Sequence, residues 1–361
     1  MKTISLGELG EFKNGLNFTN CEVKMPCKIL GVADFKGNIF PPYDELKFVE
    51  KSIVPDDFLL KENDIVFVRS NGNKNLVGRA LFIKDIKEEV SFSGFCIRFR
   101  PTTKILSPEY IYYMLKSAYC KEQYSYSQQT NITNLSQDVL AGVKIPLIDG
   151  LNENIKLMIN IDKAIEKNSK ILNNLDLLAN TILDNSIVKK IENNSFDCSI
   201  GELVNFDIGK EYANFASDKG KYRYFTCSQD VLWCDEFAFN TKAIIVATHG
   251  DFHVEHYEGK FNAYFCNSVL IPKNDLHFGL VYYSLNKYLP KLKLQSSGSV
   301  IKFISNEDLA NLLVAVPENN DVLQKLNLIL KKKQNLINQN IQYNKIKIDL
   351  SKFLLNGQAF I

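Results

Sequence analysis

Three of the four histidines in this sequence fall in one stretch, "HGDFHVEH" (249–256), together with Asp251 and Glu255. In an extended strand His249, Asp251, His253 and Glu255 share one face and His256 takes the other, so a metal site is the first chemistry to weigh. The stretch has no H-E-x-x-H spacing and no Cys/His pairing to complete such a site, and we expect no metal. A second possibility starts from Asp34 and Glu45-x-Lys47, an acid followed by E-x-K as in many metal-dependent nucleases. Asp34 precedes a Lys-Gly turn, nothing further supports it, and with 23% charged residues such triplets arise by chance.

The stretch "GNIFPPYDELK" (37–47) poses a third question. Phe40-Pro41-Pro42-Tyr43 is one residue away from the Asn/Asp-Pro-Pro-Tyr/Phe loop by which DNA adenine methyltransferases hold a flipped base. That chemistry needs an amide or carboxylate at the first position to accept a hydrogen bond from the target amino group, and Phe40 offers no acceptor. The methyl donor also needs a glycine-rich turn after a parallel strand, and the sequence contains neither F-x-G-x-G nor G-x-G-x-x-G. Pro41-Pro42 therefore reads as a rigid turn. A self-contained DNA adenine methyltransferase or nuclease with its own recognition domains remains the alternative to a chain that does no chemistry. A Walker-type phosphate loop is missing too.

Bulk properties set the frame. The chain has 361 residues, 45% of them hydrophobic, enough for two or three domains with cores of their own. No apolar run approaches the ~18 residues of a membrane span, and the N-terminus has no signal-peptide stretch. We expect a cytoplasmic protein. The eight cysteines are scattered without a C-x-x-C pair and read as buried thiols. The net charge of +2 hides local bias: four of the five arginines lie between Arg69 and Arg100. "RSNGNKNLVGR" (69–79) and "KYLPKLKLQSSGSVIK" (287–302) carry cations and no acid, which suits a polyanion.

The elements that would position these groups come in duplicate. "SLGELGEFKNG" (5–15) returns as "SIGELVNFDIG" (199–209), and "DIVFVRSNG" (64–72) is echoed by "AIIVATHG" (243–250). "PEYIYYMLKS" (108–117) matches "FGLVYYSLNK" (278–287), and "NLSQDVLAGVKIP" (134–146) is answered by "FISNEDLANLLVAVP" (303–317). Both copies then run into a long helix, so the chain is two copies of one unit of roughly 170–190 residues. Each unit begins as short strands such as "DIVFV", "RALFI" and "FCIRF", bounded by Asn, Gly and Pro. Short helices capped by Ser136 and Ser305 follow, then a strand closed by Pro146 or Pro317.

The long helices have coiled-coil character. Over about 151–192, Met158, Ile161, Ile165, Leu172, Leu175, Ala179 and Ile182 form a seam, with Asn168 as a polar interruption that would set register. Over about 320–356 the stripe of Leu326, Ile329, Leu336, Tyr343, Leu350 and Leu354 is broken by Lys333, Asn340 and Lys347. A helix of ~38 residues reaches roughly 57 Å. Neither stripe is stable alone, so the economical arrangement pairs the two helices antiparallel.

Taken together, these segments resemble the specificity subunit of type I restriction–modification systems. The resemblance rests on the two Ser-x-Gly-Glu-Leu openings, on "NDIVFVRSNGN" and on the exit segment "NLSQDVLAGVKIPL". It also rests on "IDKAIEKNSKILNNLDLLANTIL", which looks like the central helix of that family, and on the terminal "LSKFLLNGQAFI". It implies an α+β fold: two β-rich target recognition domains in pseudo-twofold repeat, separated by two long antiparallel coiled-coil helices. The expected boundaries are 1–150 and 193–318 for the recognition domains, 151–192 and 319–361 for the helices and tail. The resemblance further implies a non-catalytic subunit that reads the two halves of a split target on double-stranded DNA. Its helices would set the spacer and dock two methyltransferase (modification) subunits. No cofactor would be bound by this chain: S-adenosylmethionine belongs to the modification subunits, ATP and Mg to a restriction subunit that joins for cleavage.

Half-sites on one face of the duplex lie about one helical turn, ~34–36 Å, apart, an order of distance that helices of this length can hold. In the first unit Arg69, Asn71, Asn73, Lys74 and Arg79 offer phosphate contacts and base-edge partners, Arg for guanine and Asn for adenine. "YSYSQQTNIT" (124–133) adds the amides Gln128, Gln129 and Asn131. In the second unit the candidates are Tyr222, Arg223, His249, His253, Lys291, Lys293, Gln295, Ser296, Ser299 and Lys302, with Gly298 permitting close backbone approach.

Overall fold

The computed structural model describes residues 2–18, 22–73, 76–125, 134–148, 150–250, 252–295 and 303–355. The chain is α+β and divides into two compact units, residues 1–164 with 343–361, and residues 165–342. Each long helix contributes a segment to both units.

The first unit opens with β1 (Thr3–Ser5), β2 (Gly10–Asn14), β3 (Pro26–Leu30), β4 (Lys47–Glu50), β5 (Ile65–Val68), β6 (Ala80–Phe82), β7 (Val90–Phe92) and β8 (Cys96–Pro101). Helices α1 (Pro108–Leu115), α2 (Ala118–Ser125) and α3 (Gln137–Gly142) follow, then β9 (Lys144–Pro146) and the long α4 (Asn152–Glu192). The strands form a four-stranded sheet, β2-β8-β5-β6, a three-stranded sheet, β4-β3-β7, and the pair β1-β9. β5 is buried on both faces, and Ile65 and Phe67 point into one core while Val66 and Val68 point into another, as the pleat requires. Tyr110, Tyr112 and Tyr113 of α1 pack into the first of these cores with Ile155 and Met158 of α4.

The second unit repeats the order: β10 (Cys198–Ser199), α5 (Ile200–Leu203), β11 (Val204–Ile208), β12 (Tyr222–Phe225), β13 (Leu232–Cys234), β14 (Phe239–Ala247), β15 (Val254–Ala263) and β16 (Asn267–Pro272). It closes with α6 (Phe278–Gln295), α7 (Asn306–Ala310), β17 (Leu313–Val314) and α8 (Asn320–Leu355). Here one sheet of six strands, β11-β16-β14-β15-β12-β13, replaces the two larger sheets of the first unit, because β15 runs unbroken where β6 and β7 are separate.

The repeat holds to the level of single atoms. Ser5 and Ser199 each form a capping box, with Glu8 and Glu202. A Cβ on Gly7 would meet Ala141 Cβ at 3.1 Å, and one on Gly201 would meet Ala310 Cβ at 3.2 Å. Added at Gly15 or Gly209 it would stand 2.0 Å from the Ser93 carbonyl oxygen or 1.9 Å from that of Tyr264. Ser136 and Ser305 cap α3 and α7 by accepting from the backbone N–H of Val139 and Asp308.

Within the second unit α4 and α8 pack antiparallel. Ala179, Leu183 and Ile187 meet Leu323, Leu326, Ile329 and Leu330 in the core. Asn168 Nδ2 donates to Asn340 Oδ1 at 2.8 Å, and Lys333 is ion-paired with Asp176. In the first unit Lys347 is ion-paired with the buried Asp162, and Leu350 packs on the core. The residues that break the apolar stripe of α8 are thus the polar partners of α4. Among the described residues no helix is long and apolar enough to cross a membrane, and every cysteine is free.

Candidate nucleic-acid interface

In the first unit the start of the basic loop lies beside Asn134 and Leu135, which follow the amide-rich stretch in sequence. β5 hands the chain to Arg69, whose N–H donates to the Phe95 carbonyl and whose carbonyl accepts from the Leu135 N–H, both at 2.8 Å. Ser70 and Asn134 then form an isolated antiparallel bridge. Two segments distant in sequence are therefore rooted side by side at the end of a fully buried strand. Past the root, Asn71 Oδ1 accepts from the Asn73 N–H at 2.7 Å, an Asx-turn that shapes the loop. Arg69 and Asn71 are half-buried, Asn73 and Arg79 exposed, and Arg79 Nη1 donates to the Phe35 carbonyl at 3.3 Å. Lys74, Gln128, Gln129 and Asn131 lie outside the described residues.

The second unit builds the same root with other side chains. β14 ends at Ala247; the Thr248 N–H donates to the Cys266 carbonyl at 3.4 Å and its carbonyl accepts from the Ile304 N–H at 3.0 Å. His249 bridges Phe303, and the two rings stack 5.9 Å apart with 18° between planes. His249 Nδ1 is 3.0 Å from the Thr248 hydroxyl. His253 closes the hairpin, its carbonyl accepting from the Ala247 N–H at 3.0 Å, and its Nε2 is 3.7 Å from Glu255. Lys291 and Lys293 are exposed on the last turns of α6, which ends at Gln295. Ser296, Ser299 and Lys302 lie outside the described residues.

Some of the candidate positive charge is turned inward. Arg223 is only 5% exposed. Its guanidinium lies 4.9 Å from the centre of the Phe225 ring and 3.8 Å from Glu255, and burial lowers its pKa from the usual value. Arg223, a candidate contact in the sequence, is thus held among the side chains around β12. Its neighbour Tyr222 is half-buried, edge-on to Phe237 at 5.0 Å. Two of the four clustered arginines serve structure as well. Arg98 donates to the Asp57 carbonyl at 2.9 Å, and Arg100 grips the buried Asp64 with both Nε and Nη2 at 2.7 Å. The histidine stretch also divides as strand alternation demands: His256 is buried, facing α8, where its Nε2–H donates to the Leu330 carbonyl at 3.1 Å. Among the described residues no group of three or more His, Cys, Asp or Glu side chains could hold a metal ion.

The sequence model of the type I restriction modification DNA specificity domain family matches residues 1–193, more than half of the chain. The chain belongs to that family. It is 33% identical over 134 residues to the type I restriction enzyme EcoDI specificity subunit of Escherichia coli, covering 36% of this chain and 30% of that protein. It is 33% identical over 104 residues to the StySPI specificity subunit of Salmonella potsdam, covering 28% of this chain and 22% of that protein. The alignments thus span under a third of these relatives' length. The crystal structure of the type-I restriction-modification system S subunit from M. genitalium matches with a TM-score of 0.64 at 16% identity, over 98% of this chain and 96% of that one. This last match shows the fold.

Within this specificity-domain chain the roots expose two groups that residue-type reasoning passed over. The turn that receives the Arg69 N–H presents Phe95, 62% exposed, and the equivalent turn of the second unit presents Phe265, 43% exposed. Charge and amide content do not mark them. The signal available in the sequence was the phenylalanine in "SGFC" (93–96) and again in "YFCN" (264–267), Phe95 standing directly before β8 and Phe265 two positions before the first residue of β16.

Proposed function

We propose that this chain is the sequence-reading subunit of a type I restriction–modification complex, recognising an asymmetric, two-part target on double-stranded DNA and carrying no catalytic group of its own. The observation that carries the reading is the loop root, built twice from the same backbone hydrogen bonds and dressed with different side chains: Arg69, Asn71 and Asn73 in one unit, His249 and His253 in the other. Two readers with one scaffold and two surfaces read two different half-sites. We assign target recognition to segments 1–150 and 193–318, and the spacer to 151–192 and 319–361. The paired helices fix the gap between half-sites and dock two modification subunits, which hold S-adenosylmethionine. A restriction subunit using ATP and Mg completes the cytoplasmic complex.

Arg69 and Arg79 serve phosphate or guanine contacts, Asn71 and Asn73 adenine edges, and Lys291 and Lys293 phosphates. Phe95 and Phe265 supply apolar surface against the sugar–base edge, as wedges do in proteins that deform the duplex. The deciding experiment incubates the purified chain with DNA and labelled methyl donor. Methyl transfer is expected only after modification subunits are added, and turnover by the chain alone overturns the reading. Binding of the assembled complex falls as salt rises, because phosphate contacts release counterions.

A further inference from the structure

The two ion pairs between α4 and α8 are related by the repeat in an unexpected way. Aligning the exit prolines Pro146 and Pro317 places Asp162 on Lys333, and the same offset places Asp176 on Lys347. In the first unit Asp162 is the buried member, 4% exposed, held by Lys347 and by the hydroxyl of Tyr113, which donates to it. In the second unit Lys333 is the buried member, 5% exposed, held by Asp176 and lying 3.2 Å from the Tyr282 hydroxyl. The repeat keeps a charge at the same buried position and inverts its sign. As a result α4 carries both acids and α8 both bases.

We infer that this inverted pair is a selectivity device that joins α4 to α8 of one chain and rejects pairing of like helices between two copies. A duplicated unit invites that error, because either exit helix presents a comparable apolar stripe to the other. Pairing α4 with α4 in the register observed here would set Asp162 against Asp176; pairing α8 with α8 would set Lys333 against Lys347. In both cases a buried charge faces its own sign. A buried ion pair adds little net stability over apolar packing, and its best-attested use is to fix register and partner. The neutral Asn168–Asn340 hydrogen bond sets register and leaves the choice of partner to the charges. The inference stands apart from the DNA-reading function.

The test uses the full chain with two different affinity tags. One variant carries D162K and D176K, so that both helices are basic at these sites; a second carries K333D and K347D, so that both are acidic. Each is expected to melt about 10 °C or more below the parent. Refolded together, the two should recover as a mixed pair at least tenfold more often than two differently tagged parent chains do. The mixture provides its own rescue should either variant fail to fold alone. The fourfold variant D162K/D176K/K333D/K347D, with both pairs reversed, should regain most of the lost melting temperature and co-purify no more than the parent. Mixed pairs at the parental level, double variants that melt with the parent, or a fourfold variant that stays as unstable as the doubles would each overturn the inference.

Discussion

His256 is enclosed by Phe278, Tyr282 and the α8 backbone, with its ring 4.8 Å from that of Tyr282. Burial, helped by the nearby Lys333 ammonium, pushes its pKa down to about 3. The folded protein therefore holds a neutral imidazole that the unfolded chain would protonate near pH 6.5. The unfolded state binds the extra proton between those values, so this contribution is complete above about pH 6.5 and is lost as pH falls toward 3. Denaturant titrations of His256→Gln should show a stability–pH slope between pH 6 and 4 shallower than the parent's by up to one proton. The arginines divide by what holds them. Arg100→Leu strands the buried Asp64 carboxylate and should cost about 3 kcal/mol or more in urea unfolding. Arg69→Ala should leave unfolding unchanged and weaken DNA binding by the complex about tenfold, the scale of one good charged contact. Sequence alone could not separate these roles. Arg98, Arg100 and Arg223 sit on strands buried from both sides, where alternation of residue type no longer tells inside from outside.

At the scale of elements, the repeat makes paired predictions. Gly15 and Gly209 each lie against a backbone carbonyl that leaves no room for a methyl group. Gly15→Ala and Gly209→Ala should each lower stability by about 2 kcal/mol or more, read by thermal unfolding, while alanine at the open Gly72 should be nearly neutral. Removing the cap hydroxyl of α7 with Ser305→Ala should cost about 1 kcal/mol. Such features were open to reading from the sequence because they are local: a cap needs its residue three positions on, and a helical stripe declares its period within a few turns. The extent of α4 and α8, the capping serines and the order of the repeat all come from that kind of signal. The role of Lys333, Asn340 and Lys347 was not legible, because a stripe is scored by apolar residues and their partners Asp176, Asn168 and Asp162 sit on another helix. The fusion of β6 and β7 into the single β15 was hidden too, since it depends on how a connection crosses a sheet edge.

For the whole molecule, the proposed function implies a target whose halves are decoded separately. Arg69→Ala or Asn71→Ala should relax base preference in one half-site only, and His249→Ala in the other only, measured as methylation of a substituted-target library by the reconstituted complex. A variant in one unit that altered preference in both halves would contradict the division of labour. The loop roots carry one more implication. The Arg69–Leu135 and Thr248–Ile304 backbone bonds use no side-chain atoms, so they hold whatever residues come next. Under the proposed function, specificity is expected to be rewritten by exchanging the segments that adjoin residues 70 and 134, or 249 and 303, with the backbone bonds beneath left intact. Evolution, or a protein engineer, is offered the same four splice points for grafting new vocabulary onto an old grammar.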